Sequence, residues 1–422
     1  MKLQKIVNRL QKLHPKEIDL SLDRIKFLCK KLGNPQDERN CIQVCGTNGK
    51  GSTISFLRSI LKEANIKCNI YTSPHVIHIN ERFVYNDEMI SDDDLSNLLN
   101  EIEEINNGQP LTYFEALTAA FFYGCKKYKK NLTIAEFGLF GRGDAVNILK
   151  KNLCNIVTSC SEDHLDWLPK NDRTIERIIF EKTSSLLNSN IVVAKQNSNE
   201  IVEYIKKNIS NNSANKYYFK ENYNFALKEN DFFYYEDKYG SLKIPKPNLN
   251  GQFQIENAST AIATLRILED IKINDQNIIN GIQKAYNIAR LEEIKSGKLK
   301  DLVKKNRLIL DSSHNPGGAK VLNEYLQTLD CNKHIIIGMM GNKDHEKYIS
   351  YFKNVSSLTT IDIPNQPNAI GGKELKDKFK YFPNVQYKKN IKEAIQSIAL
   401  KENDLLVVTG SLYLSGEFLN LN

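Results

Sequence analysis

The chain has 422 residues, 41% of them hydrophobic and 26% charged, with a formal net charge of +8. That length exceeds one ordinary core and predicts two or three domains. No apolar stretch is long enough to span a bilayer, and the lysines are scattered among asparagines and isoleucines instead of forming a basic stripe with interleaved aromatics, so neither a membrane nor a nucleic acid is expected as a partner.

Residues 1–9 mix charge with apolar residues in a helical rhythm and lack a signal-peptide core, which predicts a cytoplasmic protein. The eight cysteines, Cys29, Cys41, Cys45, Cys68, Cys125, Cys154, Cys160 and Cys331, include no C-x-x-C pair and read as buried reduced thiols. Apolar strands alternate with helical stretches over most of the chain, the pattern of an α/β fold with a mainly parallel sheet. Candidate strands end at Cys45, Tyr71, Glu136 and Thr158, each followed by a polar, glycine-rich or histidine-bearing turn. Ligands of open α/β sheets sit beyond the carboxyl ends of strands, so these four turns are expected to share one crevice.

The first of them, Gly46-Thr47-Asn48-Gly49-Lys50-Gly51-Ser52, lies between an apolar strand and a helix and reads as a phosphate cradle. Its glycines let the backbone aim N–H groups at phosphate oxygens, Lys50 adds a point charge, and the following helix adds the positive end of its dipole. A nucleoside triphosphate is the expected ligand. The full G-x-x-x-x-G-K-[ST] pattern would need glycine at Val44, and Gly51 separates Lys50 from the Ser52 hydroxyl. Glu136 closes a neighbouring strand beside a turn with three glycines, where a carboxylate can hold Mg²⁺ against phosphate. Ser73 and His164 end two other strands; on chemistry alone His164 reads as a base or a substrate contact. Lys182, in Phe180-Glu181-Lys182, reads by itself as a solvated helix lysine.

From 198 to 247 the composition shifts to Asn, Lys and Tyr, and the run Phe232-Phe233-Tyr234-Tyr235 predicts a small β excursion packing its own aromatics. A helix is predicted over 256–268. A boundary near Asn287 divides the chain into a larger P-loop ATPase-like domain, 1–287, and a smaller Rossmann-like α/β domain, 288–422, with strands predicted over 307–311, 334–338, 358–363 and 405–409. In the second domain Asp311-Ser312-Ser313-His314-Asn315-Pro316 closes a strand, and its Asp311 and His314 are placed to reach ribose or phosphate.

Together these motifs resemble the bacterial bifunctional dihydrofolate synthase/folylpolyglutamate synthase family, among the ATP-dependent amide ligases that also include the Mur ligases. The family's E-x-G-L-G-G-R-x-D-A-T-N stands as Glu136 to Asn147, T-S-P-H as Thr72 to His75, D-H-x-x-x-L as Asp163 to Leu168, and L-x-G-x-x-Q-x-x-N-A as Leu249 to Ala258. The resemblance implies that Gly46, Thr47, Asn48, Gly49, Lys50, Gly51 and Ser52 hold the ATP phosphates, and that Ser52, Ser73, Glu136 and His164 bind Mg²⁺. It makes Lys50, Lys182 and His164 the catalytic set, with Lys182 carbamylated by CO₂ into an anionic oxygen ligand. Asn257 would contact adenine, and Arg290, Asp311 and His314 would reach ATP from the second domain.

The segment His14 to Ser21 resembles the family's dihydropteroate-binding segment, and Leu111 to Glu115 a second wall of that pocket. The folate residues so implied are Asp19, Leu20, Ser21, Thr112, Tyr113, Phe114, Glu115, Gly143, Asp144 and Ala145. Phe114 is suited to stack on a pterin ring, with core packing as the other reading. The implied reaction is ATP-dependent ligation of L-glutamate to dihydropteroate, and to tetrahydrofolate, through an acyl phosphate, carried out by a monomer. Two alternatives are a Mur-type ligase of cell-wall synthesis and a non-catalytic ATP-binding switch. The cell-wall reading leaves little chain before Gly46 for a carrier-binding domain and does not explain the two folate segments. Four positions depart from the family pattern: Phe140 stands for the second glycine of G-L-G-G, Thr183 for alanine, Ala289 for the glycine of P-G-R, and Asn368 for arginine.

Overall fold

The strand Cys41–Cys45 is buried along its whole length and pairs in parallel with Leu132–Glu136 on one side and Cys154–Val157 on the other. Burial on both faces explains why these strands read as continuous apolar runs rather than alternating ones. The computed structural model describes residues 2–16, 19–37, 40–229, 231–382 and 384–422, and Glu17 and Ile18 of the predicted folate segment lie outside them. The chain divides into one unit of Met1–Asn248 with Ile255–Ala285, and a second of Leu249–Gln254 with Tyr286–Asn422.

The first unit holds an eight-stranded sheet in the order Glu88–Met89, Phe83–Tyr85, Cys68–Tyr71, Leu132–Glu136, Cys41–Cys45, Cys154–Val157, Asn190–Val193, Lys216–Tyr218. The six strands from Cys68–Tyr71 onward run parallel, and the two at the other edge are antiparallel. The register sets Tyr71 beside Ala135, Val44 beside Glu136 and Cys45 beside Val157, so the four predicted turns leave one edge of the sheet together. The helix Lys50–Glu63 packs against Asp275–Lys284 at Gly281, where an added Cβ would stand 2.5 Å from Ile60 Cα. The predicted β excursion is a three-stranded antiparallel sheet, Tyr223–Glu229, Phe232–Asp237 and Gly240–Pro245. Within it Phe233 and Tyr235 are buried while Phe232 and Tyr234 are half-buried, the alternation of a strand with one packed face.

The second unit has a six-stranded sheet in the order Glu292–Glu293, Arg307–Leu310, Leu405–Thr409, Lys333–Ile337, Ser357–Ile361, Val385–Lys388, parallel except for the first. Four of these strands are the predicted ones. The other two are edge strands: one has two residues, and the other, V-Q-Y-K, is half-buried throughout and carries no apolar run. Among the described residues no helix is long and apolar enough to cross a membrane. All eight cysteines are free thiols, seven of them buried.

Candidate active site

The glycines of the phosphate loop are required sterically. Gly46 and Gly49 have φ of 135° and 90°; a Cβ on Gly46 would stand 2.0 Å from Thr158 Oγ1, and one on Gly49 2.5 Å from Asn257 Oδ1. The loop is also stapled to the turn after Cys154–Val157. The Thr47 and Asn48 amides both donate to Ser159 O, at 2.9 and 3.0 Å, and the Thr47 hydroxyl donates to Ser161 O at 3.0 Å. The helix Lys50–Glu63 then begins behind Gly49, which has no side chain to cap it, and such an N-terminus suits an anion.

Lys50 Nζ donates to Gly46 O at 3.2 Å and stands 3.8 Å from Glu136 Oε1. The other oxygen of Glu136 accepts from Ser73 N at 3.1 Å, while Ser73 Oγ is buried with no hydrogen-bond partner among the described residues. A buried hydroxyl left without a partner beside a buried carboxylate fits a hard cation, which would take both as oxygen ligands. Ser52, likewise buried, lies in the first turn of the loop helix. Among the described residues no three of His, Cys, Asp or Glu stand grouped as a metal site. A carboxylate beside a serine hydroxyl suits an ion that arrives with phosphate oxygens and water, as Mg²⁺ does, better than a stand-alone metal centre.

Lys182 is 2% exposed, so the solvated-lysine reading fails. Its Nζ donates to Gly46 O at 3.1 Å and to Leu139 O at 2.9 Å, joining the phosphate loop to the glycine turn. Burial, with the nearby charge of Lys50, lowers its pKa to about 8. His164 adopts a left-handed backbone, φ 58°, and Asp163 Oδ1 accepts its amide at 2.9 Å.

The predicted folate segments meet the same glycine turn. Leu20 packs on Gly143, where a Cβ would stand 2.8 Å from Leu20 Cβ, and the Phe114 ring covers Gly138. Asp19 and Glu115 are joined by Arg24, a residue sequence reasoning missed, whose Nη1 stands 3.0 Å from Asp19 Oδ2 and whose Nε donates to Glu115 Oε2 at 3.1 Å. Thr112 and Glu115 form a capping box for the helix Tyr113–Gly124, and Glu115 Oε1 is buried with no partner among the described residues. Phe114 also stands in an aromatic group, 6.2 Å from Tyr71. The Asp144 carboxylate is turned onto the backbone, accepting from Gly138 N, Leu139 N and Val146 N, and burial raises its pKa to about 6 against the pull of those bonds. Asp144 therefore shapes the glycine turn, and Ala145 is packed in the core.

Residues 44–265 match the Mur ligase middle domain, and residues 290–412 match the Mur ligase glutamate ligase domain. The chain belongs to the Mur ligase family. It is 28% identical over 411 residues to the dihydrofolate synthase/folylpolyglutamate synthase of Bacillus subtilis, covering 93% of this chain and 92% of that one. Among solved structures it resembles Escherichia coli FolC in complex with DHPP and ADP, at 27% identity and a TM-score of 0.88, covering 99% of this chain and 97% of that one. It also resembles the Yersinia pestis bifunctional folylpolyglutamate synthase/dihydrofolate synthase complexed with AMPPNP and a Mn ion, at 25% identity and a TM-score of 0.86, with the same coverage.

In the second unit of this Mur ligase, Arg290 lies between two residues in left-handed conformation, Ala289 at φ 53° and Leu291 at φ 47°. Asp311 fixes that turn: its Oδ2 accepts from Leu291 N at 3.0 Å and its Oδ1 from Ser313 N at 2.9 Å. His314 Nδ1 donates to Ser312 O at 3.0 Å. Ser313, Tyr348 and Thr409 join their hydroxyls in a buried triangle beneath this turn, a support the sequence did not reveal.

Proposed function

We propose that this Mur ligase joins L-glutamate to dihydropteroate, forming dihydrofolate, and extends reduced folates with further glutamate, using ATP and a divalent ion. One observation carries the folate reading: Leu20, Phe114 and the Arg24 link between Asp19 and Glu115 gather on the same glycine turn whose Leu139 carbonyl is held by Lys182, one step from the phosphate loop. The similarity to folate ligases over more than nine-tenths of the chain supports the same reading.

A carboxylate and an amine do not condense in water, because hydroxide is a poor leaving group. The substrate carboxylate attacks the γ-phosphorus of ATP, ADP leaves, and an acyl phosphate forms; the glutamate amine then attacks the acyl carbon and phosphate departs. Lys50 offsets charge on the transferring phosphoryl group, and the loop amides with the helix N-terminus orient it. Ser52, Ser73, Glu136 and His164 are the residues that would hold a divalent ion, whose contribution when bound is to neutralise phosphate charge. With its pKa near 8, the Lys182 amine is neutral often enough to add CO₂ and release a proton, giving a carbamate at the same edge. Asn257, packed against Gly49, is assigned to the nucleotide base, and within the second unit Asp311 fixes the turn that carries Arg290. A cytoplasmic monomer completes the reading.

Glutamate-dependent ADP release, with dihydropteroate and tetrahydrofolate compared as acceptors and product mass followed, tests it. Turnover with both acceptors is expected. Turnover with dihydropteroate alone would restrict the chain to dihydrofolate synthesis, and silence with both would reject the folate reading.

A further inference from the structure

We infer that Phe140 is a positioning residue for the metal-binding edge, holding the His164 imidazole through its ring. The inference rests on the divalent-ion reading above and adds a residue to it. The Phe140 side chain is 1% exposed and clusters with Leu139, Leu168 and Ile178, with Leu20 and Leu165 packed against them. Its ring meets the imidazole of His164 edge-on, at 6.4 Å between centroids and 78° between planes, and Lys182 Nζ stands 5.7 Å from the ring centroid. One ring thus faces both the histidine and the lysine, from a cluster against which Leu20, the leucine that walls Gly143, is packed.

The backbone around Phe140 is held on both sides. Leu139 O accepts from Lys182, and the amides of Gly141 and Arg142 donate to Glu181 O at 2.9 Å each, so the ring cannot withdraw without breaking the turn. His164 has the opposite problem. It holds a left-handed φ of 58°, uncommon for a non-glycine residue, and its side chain is 28% exposed. An aromatic edge is a directional partner for an imidazole, whereas an aliphatic side chain of similar bulk fills space without fixing the ring's plane. Groups that orient a ligand from behind govern metal affinity without touching the ion.

The test is calorimetric titration of Mn²⁺ into the protein holding AMPPNP, for the parent, Phe140→Ala and Phe140→Leu. Phe140→Ala is expected to weaken Mn²⁺ binding about tenfold. Phe140→Leu should recover the thermal midpoint, because it refills the apolar cluster, but not the Mn²⁺ affinity. Equal affinity in folded Phe140→Ala and parent, or full recovery of affinity by Phe140→Leu, would overturn the inference. If Phe140→Ala does not fold, the leucine variant decides alone. The His164 ring proton, assigned through His164→Asn, supplies a readout independent of metal: it should shift in Phe140→Leu, and an unmoved signal counts against the contact. A parent that binds no Mn²⁺ with nucleotide would instead reject the metal site itself, leaving the proton shift to judge Phe140.

Discussion

Glu181 and Lys182, adjacent on the helix Ile175–Thr183, grip one glycine turn by different means. Glu181 accepts the Gly141 and Arg142 amides on its carbonyl and pairs its carboxylate with Arg142 at 2.9 Å and Arg177 at 2.5 Å, while Lys182 donates its amine to Leu139 O. The turn so held begins two residues after Glu136 and ends at the wall of the folate segments. Glu181→Gln should cost about 1 kcal/mol of stability, since Arg142 is half-exposed and the pair is screened. Its larger effect is expected on kcat, through a loosened turn, with KM for ATP little changed. Denaturant unfolding beside steady-state kinetics checks both; an unchanged kcat would show that the carboxylate is dispensable.

Lys50 brings a charge to the loop: its side chain is 14% exposed, and its amine donates to the Gly46 and Thr47 carbonyls beside Glu136. Lys50→Ala should lower ADP release about 10²- to 10³-fold while the thermal midpoint moves by only a few degrees. A folded variant with near-parent turnover would remove Lys50 from the mechanism.

Carbamate formation at Lys182 should rise with pH. CO₂ adds only to a neutral amine, and the folded-state pKa of about 8 lies below the ordinary lysine value of 10.5, so about a tenth of the amine is neutral at pH 7 and about half at pH 8. A carbamate carbon signal from ¹³C-bicarbonate should therefore grow across that range and vanish in Lys182→Met. A signal that persists in the variant would place the label elsewhere.

Arg24→Met leaves Glu115, 3% exposed at its side chain, buried without its cation. With allowance for the partial exposure of Arg24, a stability loss of about 2 kcal/mol is expected. KM for dihydropteroate should rise more than kcat falls. A variant with the parent KM would separate Arg24 from the folate segments.

What the sequence revealed follows from how local each signal is. The phosphate loop is legible because its glycines, lysine and helix start are contiguous, and the strand ends because full burial leaves unbroken apolar runs. Lys182 misleads when read alone, since nothing in F-E-K-T says that this turn of helix faces inward with Glu181 and Thr183. Arg24 is invisible for a different reason: its partner Glu115 is 91 residues away, and an arginine on a short amphipathic helix looks solvated. Asp144 and Asp311 show a third limit. Their motifs mark them as polar tips of turns, but only coordinates reveal that their oxygens are occupied by backbone amides.

The staples from Thr47 and Asn48 to Ser159 have a thermodynamic consequence. The Thr47–Asn48 segment of the phosphate loop is ordered by the fold itself, so its conformational entropy is surrendered when the chain folds and not when nucleotide arrives. Nucleotide association should accordingly carry little of the ordering penalty, and little of the heat-capacity change, that accompanies loops which fold around their ligand.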